Sequence, residues 1–237
     1  MHLLVTRPEP EAARTAATLR ARGHTVIVVP LMRIEALADV EIGAGPWAGL
    51  LMTSANAARA IAAHPRFAEL RGLPVFAVGA RSACALRAAG FAEVTSADGG
   101  VGDLARLVAA SAKPAMPLLY LAATDRRGDL AGALGRHGIS VHTVALYRAI
   151  AASLSPAAAA EAFAIGIGGV LHLSPRSADA YVSAAQAAGL LAVALKRPVH
   201  FCLSASVAEP LAAAGAADIR VARRPTEAAL IELIPAA

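Results

Sequence analysis

The sequence predicts an α/β protein made of two similar doubly wound parallel-sheet lobes joined by a two-stranded antiparallel linker. Short, wholly apolar runs alternate with helical stretches along most of the chain, the signature of parallel strands buried on both faces. Two further runs break that alternation, and the segments on either side of them repeat one another.

The opening HLLVT reads as a buried strand, and the Pro-Glu-Pro-Glu after it starts an amphipathic helix that runs to Arg22 and stops at Gly23. TVIVVP is the next strand, and parallel pairing with the first requires the helix between them as a crossover. GLLMT (Gly49 to Thr53) then leads into SANAARAIAAH, LPVFAVG (Leu73 to Gly79) into ARSACALRAAG, and PLLYLA (Pro117 to Ala122) into TDRRGDLAGALGRHG. Further on, GGVLHLS (Gly168 to Ser174) precedes PRSADAYVSAAQAAG, PVHFCLS (Pro198 to Ser204) precedes ASVAEPLAAAG, and DIRVA precedes PTEAALIEL.

LMRIEAL (31–37) and TVALYRAI (143–150) interrupt this grammar, since neither leads at once into a helix. They read as linker strands, one leaving a first domain and one returning to it. The expected domains are therefore 1–30 plus 151–237, and an inserted 38–142, with a cleft between the lobes. The repeat supports the division: TSANAARAIAA parallels SPRSADAYVSA, and VGARSACALRAAGFAEV parallels LSASVAEPLAAAGAADI.

Of the 237 residues 57% are hydrophobic and 16% charged, which excludes a disordered chain. Mean hydropathy is +0.57, yet the longest weakly polar stretch, Ala157 to Leu173, contains Glu161, three glycines and His172, and reads as helix, turn and buried strand. No membrane span and no signal peptide are expected, because Arg7, Glu9, Glu11 and Arg14 interrupt the first apolar run. Cys84 and Cys202 lie far apart without a metal-binding pattern, which fits a reducing cytoplasm. The net charge is +5, and Lys113 and Lys196 are the sole lysines among 22 basic residues. So strong a preference for arginine suits bidentate contacts to carboxylates or phosphates. The arginines are scattered, without a dense block or interleaved aromatics, which argues against nucleic acid.

Hydroxyl residues recur at the carboxyl ends of strands just before helices: Thr53-Ser54, Ser82, Thr124, Ser174, and Ser204 with Ser206. Taken singly each is an N-cap; taken together along one cleft they leave helix N–H groups that suit an anion. GVGDLA (Gly100 to Ala105) fits GxGxxA but stands late in the second lobe, so it reads as a loop and helix start. No GxxxxGK[ST], GxSxG or HExxH occurs, and the histidines do not cluster, so His172 and His200 read as core residues and no metal is expected. Asp125, Arg126, Arg127 and Asp129 read as a charged helix start, with Arg127 able to turn into the cleft. Tyr147, in a crossing strand, is either a general acid or an aromatic packing the hinge.

In order and spacing, LLVTRPEPEA, RGHTVIVVPLMRIEAL, TSANAARA, VGARSACALRAAG, LLYLAATDRRGDLAGALGRHGISVHTVALYRA, HLSPRSADAY, LSASVAEPLAAAG and RRPTEAALIELI resemble the uroporphyrinogen-III synthase (HemD) family over nearly the whole chain. The resemblance implies a cytoplasmic, monomeric lyase that closes hydroxymethylbilane to uroporphyrinogen III, with loss of water and inversion of the last pyrrole through a spiro intermediate. It implies no metal or organic cofactor, no nucleic acid or membrane partner, and a transient hand-over of substrate from hydroxymethylbilane synthase. Carried over position by position, it makes Tyr147 catalytic and gives substrate-binding roles to Thr6, Arg7, Ser54, Ser82, Arg127 and Ser174; Asn56, Arg176, Ser204 and Ser206, at the same strand ends and helix starts, are expected to bind substrate with them. The chain departs from the pattern at Ala122-Ala123, where many members carry Arg-Gly, and at Cys202-Leu203-Ser204. A two-lobed sensor that binds a carboxylated small molecule without turnover is the alternative from another class.

Overall fold

The computed structural model describes residues 1–37, 39–111, 115–126, 128–152 and 166–236. In chain order these form β1 (His2–Val5), α1 (Glu11–Ala21), β2 (Thr25–Val28), β3 (Met32–Ala36), β4 (Gly49–Met52), α2 (Ala55–Ala62), α3 (Phe67–Leu70), β5 (Val75–Ala77), α4 (Ala80–Ala89), β6 (Val94–Ser96) and α5 (Val101–Ala110). There follow β7 (Leu118–Ala123), α6 (Leu130–Gly135), β8 (Val141–Ala151), β9 (Gly169–His172), α7 (Pro175–Ala187), α8 (Leu191–Lys196), β10 (Val199–Cys202), α9 (Ala205–Ala213), β11 (Asp218–Val221) and α10 (Glu227–Glu232). The chain divides into two compact units, Met1–Arg33 with Ile150–Ala237, and Ile34–Ala149.

The first unit is a five-stranded sheet in the order β11-β10-β9-β1-β2, with each pair of neighbours parallel. Alternation along each strand sends side chains to opposite faces. Leu3, Val5, Leu171 and Phe201 pack against Ala12, Ala16 and Leu19 of α1 and Leu230 and Ile231 of α10. Leu4, Val170 and Cys202 meet Tyr181 of α7, Leu195 of α8 and Leu211 of α9 on the other face. The chain moves from β1 to β2 in one direction and resumes at β9 in the other, so the topological switch point lies between β1 and β9. Gly169 is required there by packing: a Cβ would stand 2.7 Å from Phe201 Cε2 and 3.0 Å from Leu3 Cδ2.

The second unit carries a six-stranded sheet ordered β3-β8-β7-β4-β5-β6. Strands β4 to β8 are parallel, and their switch point falls between β4 and β7. Leu50, Met52, Leu119 and Leu121 face Ala58 and Ile61 of α2 and Leu86 of α4. Leu51, Leu118 and Tyr120 face Leu104 of α5 and Leu134 of α6. β3 runs antiparallel to β8: Leu37 N–H donates to Leu146 O (2.8 Å) while Ala152 N–H donates to Leu31 O (2.9 Å), so one strand advances as the other returns.

Several elements differ from the sequence-based expectation. β8 starts at Val141, because its first half adds to the second sheet beside β7, from Leu118↔Val141 to Ala122↔Ala145. The charged run at Asp125–Arg126 precedes α6 instead of opening it; Gly128 turns the chain at φ +78°, and Asp129 caps the helix through Gly132 N–H (2.8 Å). Ser82 is the third residue of α4, whose N-cap is Gly79, because β5 ends at Ala77. Helix α8 adds to the elements the sequence predicts. The helix expected at the start of Ala157–Leu173 lies outside the described residues up to Ile165, and the strand expected at its end is β9.

Candidate functional site

In the first unit, the hydroxyl and cationic residues singled out from the sequence converge on the carboxyl edge of the sheet. Thr6 directly follows β1, is fully buried, and donates its hydroxyl to Leu171 O of β9 (3.3 Å), tying the two switch-point strands together. Ser174 caps α7: its Oγ accepts from Ser177 N–H (3.1 Å), and its own N–H donates to Ser177 Oγ (3.2 Å). Ser204 precedes α9 without a side-chain cap, and its hydroxyl pairs instead with exposed Ser206 (3.1 Å). Arg176 is exposed in the first turn of α7 and lines a cavity of about 500 Å³ with Asp179, Ser183, Leu31 and Met32.

Arg7 is placed differently. Its Nη1 donates to Glu227 Oε2 (3.0 Å) and to Thr15 Oγ1 (3.1 Å), and its side chain is 13% exposed. Thr15 donates to the other oxygen of Glu227 (2.5 Å), so the guanidinium already holds an internal carboxylate and joins α1 to α10. Sequence reading passed over Arg223 and Arg224, which line a second cavity of about 550 Å³ beside Glu232 and Leu233. Their adjacency just past the last strand was the available signal.

The second unit repeats the arrangement. Ser54 caps α2 by accepting from Asn56 N–H (3.1 Å), and Asn56 uses its side-chain oxygen to accept from Arg59 (2.5 Å). Ser82 is buried one turn into α4. A register shift between Ala122 and Ala123 moves the β8 partner from Ala145 to Tyr147, a bulge that places Tyr147 opposite the last residue of β7. Thr124 N–H then donates to Tyr147 O (2.9 Å). The Tyr147 ring is 5% exposed and packs in the apolar cluster that also holds Leu121, Val144 and Leu146. Arg127 lies outside the described residues. Thr53 and Tyr120 meet through their hydroxyls at 3.0 Å at the β4–β7 switch point.

A buried polar cluster stands beneath α7 in the first unit. His172 Nε2 and His200 Nδ1 are 3.1 Å apart, both residues are fully buried, and the Tyr181 ring packs edge-on to each. Tyr181 donates its hydroxyl to Ala194 O (2.9 Å). Burial, and then the neighbouring His200, hold the His172 imidazole well below its usual range. Burial pushes His200 down to about 4, against a smaller opposing pull from the carbonyls of Leu195 and Ala194 and the carboxylate of Asp218. Both rings are neutral near pH 7, and the core placement inferred for them from the sequence holds. No group of three His, Cys, Asp or Glu side chains among the described residues could hold a metal, and no described helix is long and apolar enough to cross a membrane.

Among solved structures, the uroporphyrinogen-III synthetase of Helicobacter pylori 26695 is similar, with 18% identity, 98% of each chain covered and a TM-score of 0.68. A mutant uroporphyrinogen III synthase from the extremely thermophilic bacterium Thermus thermophilus covers 98% of this chain and 97% of its own at 16% identity, with a TM-score of 0.52. At such identities the likeness is one of fold, and it is an α/β fold of parallel sheets and helices. No curated protein sequence matches. The family model for uroporphyrinogen-III synthase HemD, however, matches residues 13–232, so the chain belongs to that family of haem-biosynthesis enzymes.

Proposed function

We propose that this chain is the lyase that closes hydroxymethylbilane to uroporphyrinogen III. The observation that carries the reading is that a chain of this family presents, in each unit, a parallel sheet whose switch point ends in helix-capping hydroxyls: Ser174 beside Thr6, and Ser54 beside Thr53. The substrate bears acetate and propionate arms on every pyrrole, and helix N-termini with exposed guanidinium groups such as Arg176 suit carboxylates.

In the reaction the terminal C–O bond breaks, and the oxygen leaves as water after taking a proton. The pyrrole nitrogen lone pair fills the gap to give an azafulvenium cation. Ring D attacks it through its substituted carbon, rearranges through the spiro intermediate, and loses a proton, so that one water is released overall. The pyrroles supply the electron push, which leaves the protein to hold the bilane in the shape that closes with inversion and to assist the leaving group. Tyr147, opposite Ala123 at the end of β7, is assigned the second task. Substrate binding is assigned to Thr6, Ser54, Asn56, Ser82, Arg127, Ser174, Arg176, Ser204 and Ser206, with Arg7 supporting the edge through Glu227. A monomer working in the cytoplasm without a cofactor, taking its substrate from hydroxymethylbilane synthase, completes the reading.

The test generates hydroxymethylbilane in place, adds this protein, oxidises the products and separates the type I and type III isomers. Type III product rising with protein concentration supports the reading. Type I alone at every concentration overturns it in favour of a binding protein.

A further inference from the structure

We propose that Tyr120 is a positioning residue for substrate binding: its hydroxyl fixes Thr53 as a hydrogen-bond donor toward a carboxylate arm at the switch point of the second unit. This rests on the reading above that the substrate is a polycarboxylate bilane.

The pairing Leu51↔Tyr120 puts Tyr120 in the middle of β7, and Thr53, two residues beyond Leu51, shares its face of the sheet. Ala122, the next residue of β7 on that face, is too small to stand between them. The phenol therefore reaches up the sheet to Thr53 Oγ1 at 3.0 Å, and among the described residues neither hydroxyl has another hydrogen-bond partner. Tyr120 is 4% exposed, so its O–H calls for a partner inside the protein. A phenol is more acidic than an aliphatic alcohol, which makes it the donor of the pair. Thr53 Oγ1 is then the acceptor, and its own proton is left to be given away. Donation by the phenol polarises that second O–H and strengthens the bond it can make.

Thr53, unlike Tyr120, is half-exposed, and it stands at the end of β4 next to the cap of α2, where the sheet changes direction. That is the crevice in which ligands of open α/β sheets bind. A threonine whose oxygen already accepts from the phenol keeps its own proton for an acceptor such as a carboxylate. The pair thus offers a polarised donor at this point, and Tyr120 acts on the substrate only through Thr53.

Tyr120→Phe removes one oxygen and keeps the ring. It is expected to raise KM for the bilane by about three- to tenfold, with kcat changed less than twofold, because one hydrogen bond to a charged group is weakened. Thr53→Val should raise KM at least as much, and the double variant should be no worse than Thr53→Val alone. Thr53→Ser, which keeps the hydroxyl, should retain the wild-type KM when Tyr120 is present and lose it in the Tyr120→Phe background. Thermal midpoints measured on the same samples exclude general unfolding as the cause. An unchanged KM in Tyr120→Phe, or effects of the two single variants that multiply in the double, overturns the proposal while leaving the synthase reading intact. A wild-type protein that forms no type III isomer overturns both.

Discussion

Lowering the pH from about 7.5 to about 5 destabilises the fold around the imidazole pair under α7, and the size of the effect follows from where those rings sit. His172 and His200 are buried beside Tyr181, Asp218 exerts a small opposing pull on His200 alone, and both rings are held neutral in the fold. In the unfolded chain they titrate near 6.5 and become charged below it. A folded value depressed below the unfolded one gives stability that is complete above about pH 6.5, declines as pH falls toward the folded value, and is lost below it. For His200, with a folded value of about 4, one unit is worth about 1.4 kcal/mol, so roughly 2 kcal/mol is lost by pH 5 and about 3 kcal/mol by pH 4. His172 moves in the same direction, as does His24, which is buried with neither ring nitrogen hydrogen-bonded.

All three groups belong to the first unit, whereas Trp47, the single tryptophan, belongs to the second. Urea titrations followed by far-ultraviolet circular dichroism report both units, and tryptophan fluorescence reports the second. Acid should therefore shift the dichroism midpoint further than the fluorescence midpoint. In His200→Leu the absolute stability falls at both pH values, since His172 loses its partner. The loss between pH 7.5 and 5 should nevertheless shrink by about 2 kcal/mol. An acid loss in His200→Leu equal to that of the wild type would refute the assignment of the pH dependence to this pair.

The network around Arg7 predicts that Arg7→Ala costs about 1–3 kcal/mol by leaving Glu227 part-buried without its cation, while KM for the bilane stays near wild type; a denaturation curve and initial rates check both parts. Gly169→Ala should destabilise by about 1–3 kcal/mol, measured by urea unfolding, because the added methyl meets Phe201 and Leu3 across a close-packed sheet. Tyr147→Phe should lower turnover strongly without abolishing it, since backbone N–H groups at the edge remain; an unaltered rate of type III formation would remove Tyr147 from the mechanism.

What could be read from the sequence was whatever is decided within a few residues. GLLM, LLYLAA and GVLH are strands because a run of four to six apolar side chains has no polar face to offer a surface helix. Ser54 and Ser174 cap helices because the N–H groups that donate to their hydroxyl oxygens lie two and three residues ahead. Ser82 escaped the same logic, since its place depends on where β5 stops, and Gly79 takes the cap. The family resemblance makes Arg7 a substrate ligand, and the local pattern does not reveal its partner, because Glu227 is 220 residues away. The same limit hid the Thr53–Tyr120 pair, 67 residues apart. Those hydroxyls meet only because β4 and β7 pair with Leu51 opposite Tyr120. A slip of one residue would turn the phenol to the other face of the sheet, among Leu50 and Leu119. The polar groups that reach a sheet edge are thus encoded locally by strand ends and caps. What each of them can donate or accept there is encoded by register, through residues that the local pattern presents as ordinary core.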